Sequence, residues 1–180
     1  ADTAAPETGW GSPQTIFAIA DDNYADLERL IGAGEGSTQL SELRAWESEA
    51  RTRLTPVFNQ RKTRGMVREC HGDLHCGNVL TANGEVQVFD CIEFSDSLRW
   101  IDVINDLAFI DMDLAFRGRA DLAARLLNRY LEIGGDHEGL SVLPYYRVHR
   151  ALVRAKVILL RAQQPQLSGD ERDACRADGL

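Results

Sequence analysis

Residues 71–90 read HGDLHCGNVLTANGEVQVFD, and this stretch decides the fold of the chain. Two alternating apolar runs flank an Asn-Gly pair at 83–84, which is the strongest short-range signal for a type I′ β-hairpin. With that pair in the turn, Asn78 faces Phe89 on the opposite strand. Asn78 and Asp90 are twelve positions apart in the chain. The hairpin therefore brings them together at its open end.

The rest of the chain has the periodicity of helices. Pro56 lies inside the second helical segment and is expected to kink or end it. We predict a mainly α fold (α+β overall), in which one β-hairpin is inserted between helices. Apolar residues recur at helical spacing near 15–31, 39–60, 101–116, 120–133 and 143–163.

Composition predicts how the chain is divided. Its 180 residues suit one domain with a hydrophobic core, which we assign to residues 15–163. Residues 1–14 are small, polar and rich in Gly and Pro, so they are expected to form a linker or a surface arm. Residues 164–180 are polar, with charges of both signs, and are expected to form a tail that frays.

Charge and hydropathy exclude two classes of partner. The net charge of −8 disfavours binding to a phosphate backbone, so no nucleic-acid partner is expected. No apolar run approaches the roughly 20 residues that span a membrane, and no signal peptide is visible. The four cysteines form no C-x-x-C pair. Free thiols suit a reducing compartment, so a cytoplasmic protein is expected.

The open end of the hairpin carries the candidate chemistry. Asp73 precedes Asn78 by five positions on the loop that leads into the hairpin, and Asp90 follows its second strand. Carboxylate and amide oxygens are hard ligands that suit Mg²⁺. Phosphoryl transfer needs such a set, with one carboxylate to orient or deprotonate a hydroxyl and others to hold the metal.

These residues carry a resemblance to a known family. The octapeptide 71–78 resembles the H-G-D-x-H-x-x-N catalytic loop of aminoglycoside phosphotransferases and choline kinases, and is similar to the H-R-D-x-x-x-x-N loop of protein kinases. Asp90, in FDCIE, stands where those families keep a metal-binding Asp. The D-L-A at 106–108 looks like the one that follows on a helix. The longer run 89–109 looks like a bacterial subgroup in which such a domain is fused to a P-loop ATP-binding domain.

The resemblance implies a role for each matching residue. Asp73 would be the catalytic base, and Asn78 and Asp90 would bind Mg²⁺. His71, His75 and Asp106 would support the loop. His75 stands where protein kinases of the Ser/Thr type commonly keep a Lys, which favours a small-molecule kinase.

The resemblance also implies a fold and a reaction. The fold would be the helical C-terminal lobe of a protein-kinase-like phosphotransferase. The reaction would move the γ-phosphoryl group of ATP, or of GTP, to a hydroxyl of a small acceptor similar to an aminoglycoside. Acidic residues were predicted to line the cleft for this acceptor, namely Glu93, Asp102, Asp111 and Asp113.

The nucleotide clamp of such enzymes has no counterpart in the sequence. The N-terminal lobe of a kinase supplies a Gly-rich strand–loop–strand and a Lys, whereas the residues before 71 have helical periodicity. The Gly-rich stretch 32–37 has no preceding strand and no P-loop Lys, so it is predicted to cap a helix. The parent protein is expected to supply an N-terminal lobe and a P-loop domain. The isolated chain is expected to be inactive or very weak.

Two other classes of function remain open on the sequence alone. The first is a kinase-like binding or regulatory module without catalysis. The second is a metal-dependent hydrolase, because Cys70, His71, His75 and Cys76 are clustered and Asp73-x-His75 resembles a metallophosphoesterase motif. A row of arginines at 147, 150, 154 and 161 falls near one face of the last long helix, where it is predicted to be a surface or a contact with another part of the parent.

Overall fold

A computed structural model describes residues 2–5, 7–33 and 35–179. Positions 1, 6, 34 and 180 lie outside it, so the predicted linker, Gly-rich stretch and tail are considered without them. Helices predominate and the strands are few and short, which confirms the predicted fold class. No helix in the described part of the chain is long and apolar enough to cross a membrane.

The elements follow in chain order. They are α1 (Pro13–Ile31), α2 (Glu35–Thr63), β1 (Val67–Glu69), β2 (Val79–Ala82), β3 (Glu85–Val88), α3 (Asp96–Arg99), β4 (Trp100–Asp102), α4 (Val103–Phe116), α5 (Ala120–Gly134), α6 (Leu143–Ala162) and α7 (Gly169–Gly179). Single 3₁₀ turns at Cys76–Asn78 and His137–Ser141 precede β2 and α6.

Aromatic rings form the centre of the main core, where α1, α2, α4 and α6 meet. Phe58 contacts Tyr145 edge-on at 5.3 Å between ring centroids, and Phe17 contacts both rings at about 6 Å. Tyr145 and Tyr146 are buried in this core. A second apolar cluster around Tyr24 and Leu152 joins α1 to the middle of α6. Helix α6 is therefore the element against which the rest of the lobe is assembled.

Helix α2 continues through Pro56 to Thr63, so the prediction that this proline could end the helix was wrong. A proline inside a helix costs about 3 kcal/mol, because it removes one hydrogen bond and crowds the preceding turn. Leu54 and Phe58, on either side of it, are buried in the main core. Burying two such side chains contributes roughly 1.5–3 kcal/mol each, which offsets the cost.

A second two-stranded sheet, which the sequence did not predict, joins β1 to β4. The helix predicted from 101 begins instead at Val103, because the Asp102 carboxylate accepts a hydrogen bond from the Ile104 N–H at 2.9 Å and caps it. The N-terminal arm also pairs with this sheet. Ala4 donates its N–H to the Val67 carbonyl at 3.0 Å, and Thr3 bridges to Arg68. The division of the chain at residue 14 stays a prediction.

The hairpin forms in the predicted register. Leu80 pairs with Gln87 and Ala82 with Glu85. Asn83 and Gly84 have φ values of 54° and 80°, so both lie in the left-handed region that a type I′ turn requires.

The polar tail contains the helix α7, where the sequence predicted a segment that frays. Helix α7 lies against α6, and Gly179 packs on Leu159 so closely that an added Cβ would lie 2.9 Å from the Leu159 Cγ. A short apolar contact of this kind is hard to recognise in a segment that is otherwise charged.

A buried guanidinium ties three distant segments together. Arg61 of α2 is 1% exposed and donates to both oxygens of Asp102 at 2.7 and 2.8 Å. It also donates to both oxygens of Asp136 at the same distances, and Tyr130 donates its hydroxyl to Asp136 at 2.9 Å. The carboxylates of β4 and of the segment before α6 therefore share one guanidinium as their partner.

Candidate active site

Helix α4 holds the beginning of the 71–78 loop through one carboxylate. Asp106 Oδ2 accepts the His71 N–H at 2.9 Å, and its Oδ1 accepts the Gly72 N–H at 3.1 Å. Asp106 is 8% exposed, so these charge-assisted bonds act away from bulk water. The predicted supporting position of Asp106 is thus the one that the structure shows.

Helix α6 holds the same turn from the other side through Arg150, a residue whose part in the site the sequence reading missed. The Arg150 Nη1 donates to the Gly72 carbonyl at 3.0 Å, and its Nε donates to Asn105 Oδ1 at 2.7 Å. The guanidinium lies 4.8 Å from the centre of the Phe109 ring. The helical row of four arginines was the available signal, but it predicts a surface or a contact with another part of the parent, whereas Arg150 is buried.

Gly72 is required where the two helices grip the loop. Its φ is +84°, and an added Cβ would lie 2.7 Å from the Leu98 carbonyl oxygen. Only glycine adopts that backbone conformation without strain and also leaves room for the neighbouring chain.

His71 connects the loop to the exit of the hairpin. Its Nδ1 accepts the Asp73 N–H at 3.3 Å, so Nε2 carries the proton that it donates to the Phe89 carbonyl at 2.9 Å. The His71 carbonyl accepts the Ile92 N–H at 2.9 Å. These bonds place the Asp73 loop beside the backbone on either side of Asp90.

Asp73, His75 and Asn78 are in direct contact. Asn78 donates its amide to Asp73 Oδ2 and to the Asp73 carbonyl, both at 3.0 Å. His75 Nδ1 accepts the Gly77 N–H at 3.0 Å, which leaves the proton on Nε2, 3.4 Å from Asp73 Oδ2. Burial lowers the pKa of His75 although the Asp73 charge opposes this. A neutral imidazole and an amide therefore fix the orientation of the Asp73 carboxylate.

Asp90 completes the set at the open end of the hairpin. Its φ is 61°, a conformation that Asp tolerates better than most residues. Asp90, Asp73 and residues 91–94 line an open cleft of about 680 Å³. Within the described residues, no hydrogen bond or ion pair engages the Asp90 carboxylate or the Asn78 Oδ1.

These free oxygens fit a magnesium ion. The Asn78 amide nitrogen is used by Asp73, so its Oδ1 is the atom left to act as a ligand, although the side chain is 7% exposed. Together with Asp90 this gives two hard oxygen donors. Mg²⁺ is bound by few protein oxygens when substrate phosphates supply the others.

A comparison with known protein families covers the loop and the hairpin described above. The model of the phosphotransferase enzyme family (APH) matches residues 9–143. The chain belongs to this family. The uncharacterized protein Rv2004c of Mycobacterium tuberculosis and the uncharacterized protein Mb2027c of Mycobacterium bovis are each 39% identical to it over 116 residues.

The relatives are much longer than this phosphotransferase chain. The matched residues are 63% of the chain but 23% of each relative, so the chain spans less than a quarter of their length. No solved structure matches the chain significantly.

The predicted acidic cleft of the phosphotransferase is only partly formed. Glu93 is exposed and lines the cleft with Asp90. Asp102 and Asp113 do not line it, because they are 3% and 0% exposed and are engaged by Arg61 and by the Cys76 N–H. Asp111 is likewise buried and pairs with Arg147. The sequence could not show this, because acidic residues on a helix are usually solvated.

Asp113 supports the loop of the phosphotransferase instead. Its Oδ2 accepts the Cys76 N–H at 2.9 Å and the Arg117 Nε–H at 3.2 Å. Burial alone would raise the pKa of Asp113, but these hydrogen bonds hold it below its usual range. Asp106 and Asp113, two turns apart on α4, therefore grip the two ends of the loop.

The cysteine and histidine cluster is poorly arranged for a transition metal. His71 and His75 each use both ring nitrogens within the loop. Burial raises the pKa of the Cys70 thiol to about 12 and also raises that of Cys76, so neither is a ready thiolate. Among the described residues, no group of three His, Cys, Asp or Glu side chains is placed to hold a metal ion.

Proposed function

We propose that this chain carries the catalytic half of an enzyme that transfers the γ-phosphoryl group of ATP, or of GTP, to a hydroxyl of a small molecule. One observation carries the proposal. The Asp73 carboxylate is oriented by Asn78 and His75 and opens onto the cleft that Asp90 lines. The proposed base, Asp73, and one proposed metal ligand, Asp90, thus line the same cleft, and the other proposed ligand, Asn78, is bonded to Asp73.

The residues divide the work of the transfer. Asp73 accepts the proton of the acceptor hydroxyl as its oxygen bonds to the γ-phosphorus, while the bond between that phosphorus and the β–γ bridging oxygen breaks and the nucleoside diphosphate leaves. His75 and Asn78 keep the Asp73 oxygen aimed at the hydroxyl. Asn78 and Asp90 would hold Mg²⁺, which when bound neutralises charge on the phosphates.

Most of the nucleotide clamp is proposed to come from elsewhere in a longer parent. Pro13–Ile31 and Glu35–Thr63 form the helices α1 and α2, so these residues do not provide a Gly-rich strand–loop–strand ahead of the catalytic loop. Since phosphoryl transfer depends on positioning both substrates, little activity is expected from this chain by itself. An N-terminal lobe, and a P-loop domain beyond it, are the proposed partners.

The test of catalysis uses the full-length parent with Asp73→Asn. The substitution keeps the shape of the side chain and an oxygen acceptor for Asn78 but removes the base. Phosphate transfer should fall by about 10²–10⁴-fold, the usual contribution of a general base. Asp22→Asn, an exposed position on α1, is the matched control. Unchanged transfer in Asp73→Asn would favour a non-catalytic module.

The test of the metal site uses this chain and Mn²⁺ as a paramagnetic substitute for Mg²⁺. Amide resonances near Asp73, Asn78 and Asp90 should broaden first, and Asp90→Asn should weaken the effect. Broadening centred on Cys70 and His75 would instead favour the metal-dependent hydrolase. Elemental analysis gives an independent check, because stoichiometric zinc in the purified protein would contradict the kinase proposal.

A further inference from the structure

Three arginines beside the catalytic loop are not accounted for by the proposed transfer. In the row on α6, Arg150 lies under the loop and Arg161 is exposed. Arg154 and Arg147 instead face α4, where Arg117 follows the end of the helix. The three surround the carboxylates of Asp111 and Asp113.

The surface formed by these arginines is positive, although the two aspartates beneath them nearly balance their charge. Asp111 and Asp113 are 0% exposed, whereas the side chains of Arg117, Arg147 and Arg154 are 48%, 45% and 25% exposed. The carboxylates lie beneath and the guanidinium groups above them. In a chain of net charge −8, a molecule that approaches this surface meets positive charge.

Arg154 forms an ion pair with Asp113 but donates no hydrogen bond to it. Its Nε is buried without a hydrogen-bond partner, and the nearest carboxylate oxygen, Asp113 Oδ1, is 3.6 Å away. That distance is too long for a hydrogen bond, and Asp113 Oδ1 is itself unpartnered. A guanidinium has five donors in a fork that matches a carboxylate or a phosphate.

His75 joins these arginines to the catalytic base. Its Nε2 is 3.4 Å from Asp73 Oδ2, and the next residue of the loop, Cys76, is bonded to Asp113. Arg117 donates to the same Asp113 oxygen that accepts the Cys76 N–H, so this arginine lies beside the loop. Asp73 therefore has the metal cleft on one side and the arginines beyond His75 on the other.

We propose that Arg117 and Arg154 form the acceptor-binding site of the transfer, and that the acceptor is a small hydroxylated oxyanion, either a carboxylate or a phosphate ester. This inference rests on the proposed function, because it assigns the site to the acceptor of Asp73. A cationic amino-sugar, which the family resemblance suggested, would meet like charge here. The donor phosphates belong in the other cleft, which Asp73 and residues 90–94 line.

The first experiment titrates this chain with inorganic phosphate in EDTA and follows the arginine Nε–Hε signals by NMR. The Arg154 signal should shift saturably, because an oxyanion bound to the exposed part of its guanidinium changes the environment of the nearby Nε–H. Chloride at the same ionic strength should leave the signal unchanged. Absence of a saturable shift at Arg154 would overturn the proposal.

Variants assign the binding to the site. Arg154→Gln should weaken phosphate binding by about tenfold or more, since a charge-assisted bidentate contact is lost. Arg161→Gln, seven residues further along the same helix, should leave it unchanged. If Arg154→Gln does not fold, as judged by circular dichroism, Arg117→Gln at a half-exposed position replaces it. Equal phosphate affinity in the folded variant and the wild type would contradict the site.

Three probes and one competitor identify the acceptor class. Glycerol 3-phosphate and glycerate should both shift the Arg154 Nε–Hε signal. The compound with the higher affinity shows whether the acceptor is a phosphate ester or a carboxylate. Glucosamine should not shift it, and an equal shift would overturn the anionic assignment. Displacement of phosphate by Mg·ATP would assign the arginines to the donor and overturn the acceptor site. The binding assays need no turnover, so their outcome is independent of the Asp73→Asn test. A failure of the acceptor site can therefore be distinguished from a failure of the proposed function.

Discussion

The loop 71–78 and the hairpin 79–90 meet at the same site but are built in opposite ways. The loop is bonded to two helices through Asp106, Asp113 and Arg150. The hairpin is mostly exposed, with Val86 at 71% and Val88 at 48%, and Asp90 at its end has no bonded partner within the described residues. The loop is fixed by hydrogen bonds to its neighbours, whereas the hairpin has an exposed surface that is available for further contacts.

The difference fits the tasks that we propose for the two halves, a base in the loop and a metal ligand at the end of the hairpin. A base must be aimed before the acceptor arrives, so the cost of ordering it is met during folding. A metal ligand that acts only with nucleotide phosphates can be completed when those phosphates bind. The exposed apolar residues of the hairpin fit the same view, because they can pack against a nucleotide or the rest of a parent protein.

The largest expected effect comes from removing the arginine beneath the loop. Arg150→Met should lower the free energy of unfolding by about 3 kcal/mol, because the Gly72 carbonyl and Asn105 lose a buried charged donor. Urea denaturation measures it. Arg161→Met, on the exposed end of the same helix, should change stability by less than about 0.5 kcal/mol. Equal effects would mean that the loop is not held from α6.

The second test exchanges one glycine in each half. Gly72→Ala should cost about 2–3 kcal/mol, because the added methyl group clashes with the Leu98 carbonyl and the positive φ is strained for alanine. A Cβ added at Gly84 meets no atom within 4 Å. Gly84→Ala should therefore cost only roughly 1 kcal/mol, from the strain of a positive φ. Thermal unfolding of both variants decides. A larger loss at Gly84 would reverse the contrast between the loop and the hairpin.

The third test uses acid on a buried histidine of α6, next in the chain to the arginine that holds the loop. Burial lowers the pKa of His149 to about 3, from 6.5 in an unfolded chain. Between pH 6.5 and 3 the unfolded chain binds a proton that the folded chain does not. Stability should therefore fall as the pH decreases through this window, with a slope approaching 1.4 kcal/mol per pH unit at about pH 4–5.

The matched variant isolates this histidine from the carboxylates that also titrate in acid. His149→Gln should unfold with a shallower dependence on pH between 6.5 and 3, whatever its stability at neutral pH. The same slope in both proteins would mean that His149 is protonated in the folded state.

The smallest expected effect is on the exposed hairpin. Val86→Thr should change the free energy of unfolding by less than about 0.5 kcal/mol, since the side chain is 71% exposed and β-branched in both forms. Chemical denaturation checks this. A loss above 1 kcal/mol would show that the hairpin packs against the lobe more tightly than its exposure indicates.

The sequence predicted the hairpin because its signals are local. Asn83-Gly84 specifies the turn, and the alternating runs specify the register that pairs Asn78 with Phe89. The positions of Asp73 and Asn78 followed from that register and from the motif. The roles of these residues in catalysis stay predictions.

What the sequence missed depends on contacts between distant residues. Arg150 supports Gly72 from 78 positions away, and nothing within either segment indicates the pairing. Asp102 and Asp113 were assigned to a cleft because a helix with several acidic residues looks solvated. Their burial is explained only by partners such as Arg61, which periodicity does not reveal. The three-residue strands β1 and β4 are too short for alternation to be recognised.

The ion pairs of Arg61 with Asp102 and Asp136 affect how the chain folds. The two aspartates lie 41 and 75 positions away from Arg61 in the chain. The three charged side chains can therefore pair only after α2, β4 and the segment before α6 have come together. Any partly unfolded form that frees α2 leaves charged groups without their partners in a poorly solvated interior. Such forms are disfavoured, and we expect the lobe to lose its structure in one cooperative step.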